Sequence, residues 1–210
     1  MKRTMLIILA LVLMAGAANA QTVLWDQTAG YESWSQGFFN CIGGSGPWGV
    51  TSYSCNDVVV PAGGWTMDSI TIYFDNLDPW GGAVASAWLY IEPKTGPSPT
   101  GNPTADAVMV PASCVLLPNN FNEVKATTLG IMLAEGEYWI GLTPITPTGG
   151  NIHVGVPAVG ETSPTYDPNG WPAPGWAFNT QDLDAALLIE GFGPVSTEDV
   201  SLGTVKALFR

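Results

Sequence analysis

The chain has 210 residues, 46% of them hydrophobic and 11% charged, with 25 glycines and 17 prolines. So few charges in so apolar a chain exclude an intrinsically disordered protein and disfavour a helix-rich one, whose exposed faces carry Glu, Lys and Arg. With 18 acidic residues against 6 basic ones the net charge is −12, which excludes nucleic acid as a partner and opposes attachment to anionic lipid by charge.

Residues 1–20 read as a signal peptide. Lys2 and Arg3 are followed by the apolar run Met5–Leu13 and by the small-x-small site Ala18-Asn19-Ala20. The run is shorter than the ~20 residues that span a bilayer, so it is not read as an anchor, and no transmembrane segment is expected in the mature chain. Cleavage after Ala20 leaves Lys94, Lys125, Lys206 and Arg210 to oppose the acidic residues. The expected destination is extracellular or the outer cell surface. Residues 21–192 form one expected domain, and 193–210 a C-terminal tail.

Glycines and prolines punctuate this domain into short β-rich runs. In chain order these are 22–25, 53–60, 65–74, 83–91, 107–117, 122–129, 137–143, 151–156, 176–179 and 185–190. Short strands at this spacing predict an all-β fold, an antiparallel β-sandwich of jelly-roll-like type. Side chains alternate across a strand, which separates two faces. Ile70, Ile72 and Phe74 share one face, as do Ala85, Ala87, Leu89 and Ile91, and Tyr138, Ile140 and Leu142. These aliphatic faces are expected to meet in the core. The opposite faces mix polar residues with Tyr73, Trp88, Tyr90 and Trp139, the candidate ligand-binding aromatics. Flat rings on a sheet suit sugar C–H faces; equally, such rings are often covered by loops or a further strand.

Catalytic patterns are sparse. The single histidine, His153, lies in an alternating run, and Gly43-Gly44-Ser45-Gly46-Pro47 lacks the last glycine of a nucleophile elbow. One His and three scattered Cys do not supply a zinc site, and no phosphate loop or dinucleotide fingerprint occurs. No catalytic residue is therefore assigned. Glu92, Glu123, Glu135 and Glu137 offer carboxylates for glycoside chemistry, but nothing singles out a pair. No cofactor is required; calcium is the one ion for which oxygen ligands are present, at Asp75, Asp78, Asp182 and Asp184. Asp167-Pro168-Asn169-Gly170 reads as a turn.

Cys41 and Cys55 flank the turn-rich stretch CIGGSGPWGVTSYSC. In an exported chain they suit a disulfide worth about 3 kcal/mol by loop closure. No Lys, Arg or His lies between residues 21 and 93 to activate a thiolate. Cys114 is then a buried free thiol, with pairings through Cys114 left open.

Ser35-Gln36-Gly37-Phe38 and Asn56-Asp57-Val58-Val59-Val60-Pro61-Ala62-Gly63-Gly64-Trp65 are followed by Leu133-Ala134-Glu135-Gly136-Glu137-Tyr138-Trp139-Ile140 and Asp184-Ala185-Ala186-Leu187-Leu188-Ile189-Glu190-Gly191. Together they resemble the choice-of-anchor type of β-sandwich module found in large bacterial secreted and surface proteins, with its "ADDFxVPxGGW", "GxYWL" and "IEG" stretches. Asn56-Asp57-Val58 departs from the Asp-Asp-Phe form. The tail, ending Leu202-Gly203-Thr204-Val205-Lys206-Ala207-Leu208-Phe209-Arg210, resembles short "SWGxIKALYR" endings, with Leu202 in place of Trp. This second resemblance implies a sorting or processing signal; by its residues alone the tail reads as a short helix starting at Ser196–Asp199 or as a frayed terminus. The resulting expectation is a secreted or cell-surface non-catalytic module, structural or adhesive, with glycan or cell-envelope components as partners. The alternative is a carbohydrate-binding module using the surface aromatics. A glycan-active enzyme ranks last.

Overall fold

A computed structural model describes residues 21–31, 39–40, 52–75, 83–146, 151–168, 175–178 and 182–193. The expected signal peptide 1–20, the tail beyond Gly193, Cys41 and Asp78 lie outside the described residues.

The strands are β1 (Thr22–Gln27), β2 (Phe39–Asn40), β3 (Tyr53–Ser54), β4 (Asn56–Val60), β5 (Trp65–Asp75), β6 (Ser86–Pro93), β7 (Val108–Leu116), β8 (Phe121–Ala126), β9 (Ile131–Leu133), β10 (Gly136–Pro144), β11 (Asn151–Ile152), β12 (Gly155–Pro157), β13 (Pro164–Asp167), β14 (Gly175–Phe178), β15 (Leu183–Ala185) and β16 (Leu187–Phe192). Among the described residues one short helix, α1 (Pro103–Asp106), starts with Pro103 and is capped by the Asn102 side chain on Thr104 N–H. The strand pairings of the main sheet are all antiparallel, so the all-β antiparallel class expected from the turn spacing is the class observed.

The main sheet runs β1-β16-β5-β8-β7-β6-β10-β4, with β9 added to β5. β7 turns the corner. Its first half, Val108–Pro111, pairs with β6, and its second half, Ala112–Leu116, pairs with β8. The inward residues of both halves share one core. Ile70, Ile72, Phe74, Ala87, Leu89, Ile140 and Leu142 are all buried there, each large aliphatic side chain contributing about 1.5–3 kcal/mol. Ala85 is exposed before β6, while Ile91 and Tyr138 are half-buried.

The faces opposite the core are also largely covered. Ser69, Thr71 and Tyr73 of β5 are buried, as are Tyr90, Trp139 and Thr143 of β6 and β10. A three-stranded sheet, β14-β13-β3, supplies one cover. It lies so close that a Cβ on Gly141 would sit 1.9 Å from the Ser54 carbonyl oxygen. Gly141 is therefore the residue that lets a second backbone cross β10. The other cover, over β5, is built from Tyr31, Phe121, Val154, Val156 and Ala186.

Candidate functional site

The sheet path ends at β1 and β4, and side chains join these ends. Asn56 Nδ2 donates to Gln27 Oε1 at 3.0 Å and to the Ala185 carbonyl at 2.8 Å. Its Oδ1 accepts from Ala185 N–H at 3.2 Å and from Ser163 Oγ at 2.5 Å. One side chain thus uses two donors and two acceptor positions, the full capacity of an amide. Asp184 completes the cluster: it accepts from Gln27 Nε2 and from Val159 N–H at 2.9 Å, and its Oδ1 lies 3.2 Å from Ser163 Oγ, whose single proton it shares with the shorter bond to Asn56. Gln27, Asn56, Ser163 and Asp184 are all buried. Burial pushes the Asp184 carboxyl up to about 6, against the pull of its hydrogen bonds.

Asp57 follows Asn56 on β4, so alternation sends its side chain to the opposite face. Asp57 Oδ2 accepts from Lys94 Nζ at 2.7 Å and from Glu161 N–H at 3.1 Å. The two side chains are 9% and 13% exposed. Lys94 Nζ also lies 3.6 Å from Glu137 Oε2 and 5.0 Å from the centroid of the Trp139 ring. Burial alone would lower the Lys94 amine; Asp57 above all, with Glu137 and Glu161, outweighs it and holds the amine above its ordinary value. Gly160, at φ +85°, brings the loop in: a Cβ there would stand 2.4 Å from Asp57 Oδ2. Trp139 is directly opposite Asp57 in the register. Its Nε1 and Asp57 Oδ1 are both buried with no hydrogen-bond partner among the described residues. An open groove of about 660 Å³, lined by Lys94, Thr95, Glu137 and Glu161 among others, runs past the pair.

The four predicted aromatics do not form an exposed platform. Tyr73 is buried and stacked on Tyr31, ring centroids 4.4 Å apart. Tyr90 is buried under Trp176, 5.5 Å between centroids, with its hydroxyl donated to Glu92. Trp139 is fully buried with Cys55. Trp88 alone is half-buried, on β6 opposite Met109 of β7, which is 60% exposed. The structural reason is the two covers: Tyr31, Val154, Val156 and Ala186 bury Tyr73, while β3, β13 and β14 lie over Tyr90 and Trp139.

The calcium candidates are also dispersed. Asp75 ends β5, and Asp182 is exposed in a left-handed turn at φ 58°. Asp184 is engaged in the Asn56 cluster rather than open to an ion. Among the described residues no group of three or more His, Cys, Asp or Glu is placed to hold a metal. Cys55 carries a free, buried thiol, which burial and nearby carboxylates hold well above its ordinary pKa; Cys41, its expected partner, lies outside the described residues. Cys114 is the buried free thiol expected, pushed up to about 11 by burial.

Of the four glutamates, Glu92 accepts from Thr100 Oγ1 at 2.7 Å and from the Thr100 and Gly101 amides. Burial tends to raise its carboxyl, and these bonds together with Tyr90 bring it below its ordinary value. Glu123 stands opposite Tyr73, Glu135 is exposed, and Glu137 faces Lys94. His153 is fully buried against Phe74, and burial lowers its pKa to about 3, so it stays neutral. No helix among the described residues is long and apolar enough to cross a membrane.

The Asn56 cluster and the Asp57–Lys94 pair are the residues that local sequence patterns missed. One signal was present: Lys94 is the first basic residue after Arg3 in a strongly acidic chain. No protein-family model matches the chain, and no curated protein sequence matches it.

Proposed function

We propose that this chain is a non-catalytic β-sandwich module of jelly-roll-like type, exported to the cell exterior or outer surface, with a structural or adhesive role toward glycan or cell-envelope components. The observation that carries this reading is the commitment of its reactive side chains to the interior. His153 is buried and neutral, both described thiols are buried, and Asp184 and Asn56 are spent on joining the sheet ends. The resemblance to bacterial surface modules supports the same reading. Its stretches meet in space, since β4 pairs with β10 and Asn56 bonds Ala185. Residues 1–20 and 193–210 are the export and sorting signals of this proposal.

The test is an assay of the purified chain against polysaccharide and ester substrates, beside retention on cell-envelope polysaccharide. Retention without turnover is the expected result; turnover lost in a Glu92→Gln or Glu137→Gln variant overturns the reading.

A second reading, carbohydrate recognition, is favoured by one feature, the half-buried Trp88 beside exposed Met109. Stacking there predicts that Trp88→Ala weakens glycan retention by about 1–2 kcal/mol while the fold persists. Unchanged retention removes this reading.

A further inference from the structure

We propose that Lys94 and Asp57 become joined by an intramolecular amide bond, formed in the folded protein with Glu137 as the proton carrier. The reactants are already in place: Lys94 Nζ is 2.7 Å from Asp57 Oδ2, and both side chains are almost withdrawn from water. Groups held at such distances react as if at effective concentrations of about 10⁵ M or more, which offsets the tendency of bulk water to favour hydrolysis. Burying two opposite charges is costly, and condensation removes both. The Trp139 ring forms a wall beside Nζ, and Glu137 Oε2, at 3.6 Å, is the second carboxylate in reach of the amine.

The step balances without an oxidant or activating group. The Lys94 ammonium gives one proton to the Asp57 carboxylate, and the amine lone pair attacks Cγ. That proton goes to Oδ2, which already accepts from Nζ at 2.7 Å and from Glu161 N–H at 3.1 Å, so negative charge develops on Oδ1, the buried oxygen held by no hydrogen bond among the described residues. Glu137, whose Oε2 is 3.6 Å from Nζ and whose side chain is 57% exposed, takes a second proton from the nitrogen and returns it to Oδ2. The C–O bond breaks, water leaves, and an amide N–H remains. The bond ties β4 to the end of β6 across β10, linking residues 37 apart in sequence. It stands whether or not the module binds glycans.

Intact-mass measurement of the denatured, purified full-length protein tests this. The expected mass is lower than that of the processed sequence by about 18 Da, one water. Tryptic mapping is expected to show no cleavage after Lys94 and a branched peptide joining it to Asp57. Lys94→Arg and Asp57→Ala are expected to have the full mass. Glu137→Gln keeps the ion pair and the fold, monitored by circular dichroism, and is expected to form the bond at least about 100-fold more slowly. Full mass with normal cleavage at Lys94 overturns the proposal. So does a water loss found in a linear Asp57 peptide, which marks an imide instead. Bond formation at an unchanged rate in Glu137→Gln overturns the role assigned to Glu137.

Discussion

Asn56 and Asp57 are consecutive residues of one strand, and they sit in opposite electrostatic worlds. Asn56 faces a cluster with no cation, where a carboxyl group, an amide pair and a hydroxyl satisfy one another. Asp57 faces Lys94, one of the few basic side chains of the chain. A buried carboxyl without a cation is pushed toward its neutral form, as Asp184 is. A buried carboxylate beside an ammonium keeps its charge by pairing, and the pair then depends on both members. A single step along β4 therefore separates a hydrogen-bonded closure from an ionic one.

The sharpest way to break the first closure is Asn56→Ala. It removes four buried hydrogen bonds at once, to Gln27, Ser163 and both backbone groups of Ala185, and the expected loss is about 4 kcal/mol of stability, read by urea denaturation. For the second closure, Lys94→Met leaves Asp57 charged, buried and unpaired, with an expected loss of about 3 kcal/mol. Asp57→Leu combined with Lys94→Met is expected to recover most of it. Where the amide has formed, its loss adds an unfolded-chain entropy of about 4 kcal/mol for a loop of this length.

The pH dependence separates the two clusters further. The Asp184 carboxyl lies at about 6 in the fold against an ordinary value of 3.8. Between these values the folded state binds more protons than the unfolded one, so stability falls as pH rises through this window and is greater on the acid side. The expected contribution is about 2–3 kcal/mol between pH 4 and pH 7. In Asp184→Asn this slope should vanish from denaturation curves taken across that range; an unchanged slope assigns it to another group. The smallest effect belongs to the partly exposed Lys125–Glu190 pair, 2.5 Å apart and reaching across β5 from β8 and β16 on either side of it. Lys125→Ala is expected to cost less than about 1 kcal/mol, an effect that shrinks with added salt.

Alternation made the aliphatic core legible. Ile70, Ile72, Phe74, Ile140 and Leu142 announce their strands and their inward face, and the structure buries all of them. The same periodicity carries no information about what lies over the other face. Trp139 looks like a surface ring from its strand alone, and it is fully buried because β3, β13 and β14 lie outside it. Those covering strands have two to four residues each, too short for a period to register. Gly141 marked the close crossing, but a glycine in a strand fits several causes. The Asn56 cluster draws on residues from 27 to 185, so no local window contains it. Asp184 was read as a calcium ligand because Asp-x-Asp is oxygen-rich, and proximity to Gln27 and Ser163 turns it to another use.

The first and last strands have a mechanical consequence. β1 runs antiparallel to β16, with Thr22 opposite Gly191 and Gln27 opposite Leu187. Thr22 and Gly191 thus lie at the same end of one strand pair. Tension between these points acts across the strands and loads their hydrogen bonds one at a time, like a zipper pulled from its open end. The peel would travel from Thr22 toward Gln27 and meet the Asn56 cluster last. Under load, that cluster is the latch on which the first strand depends.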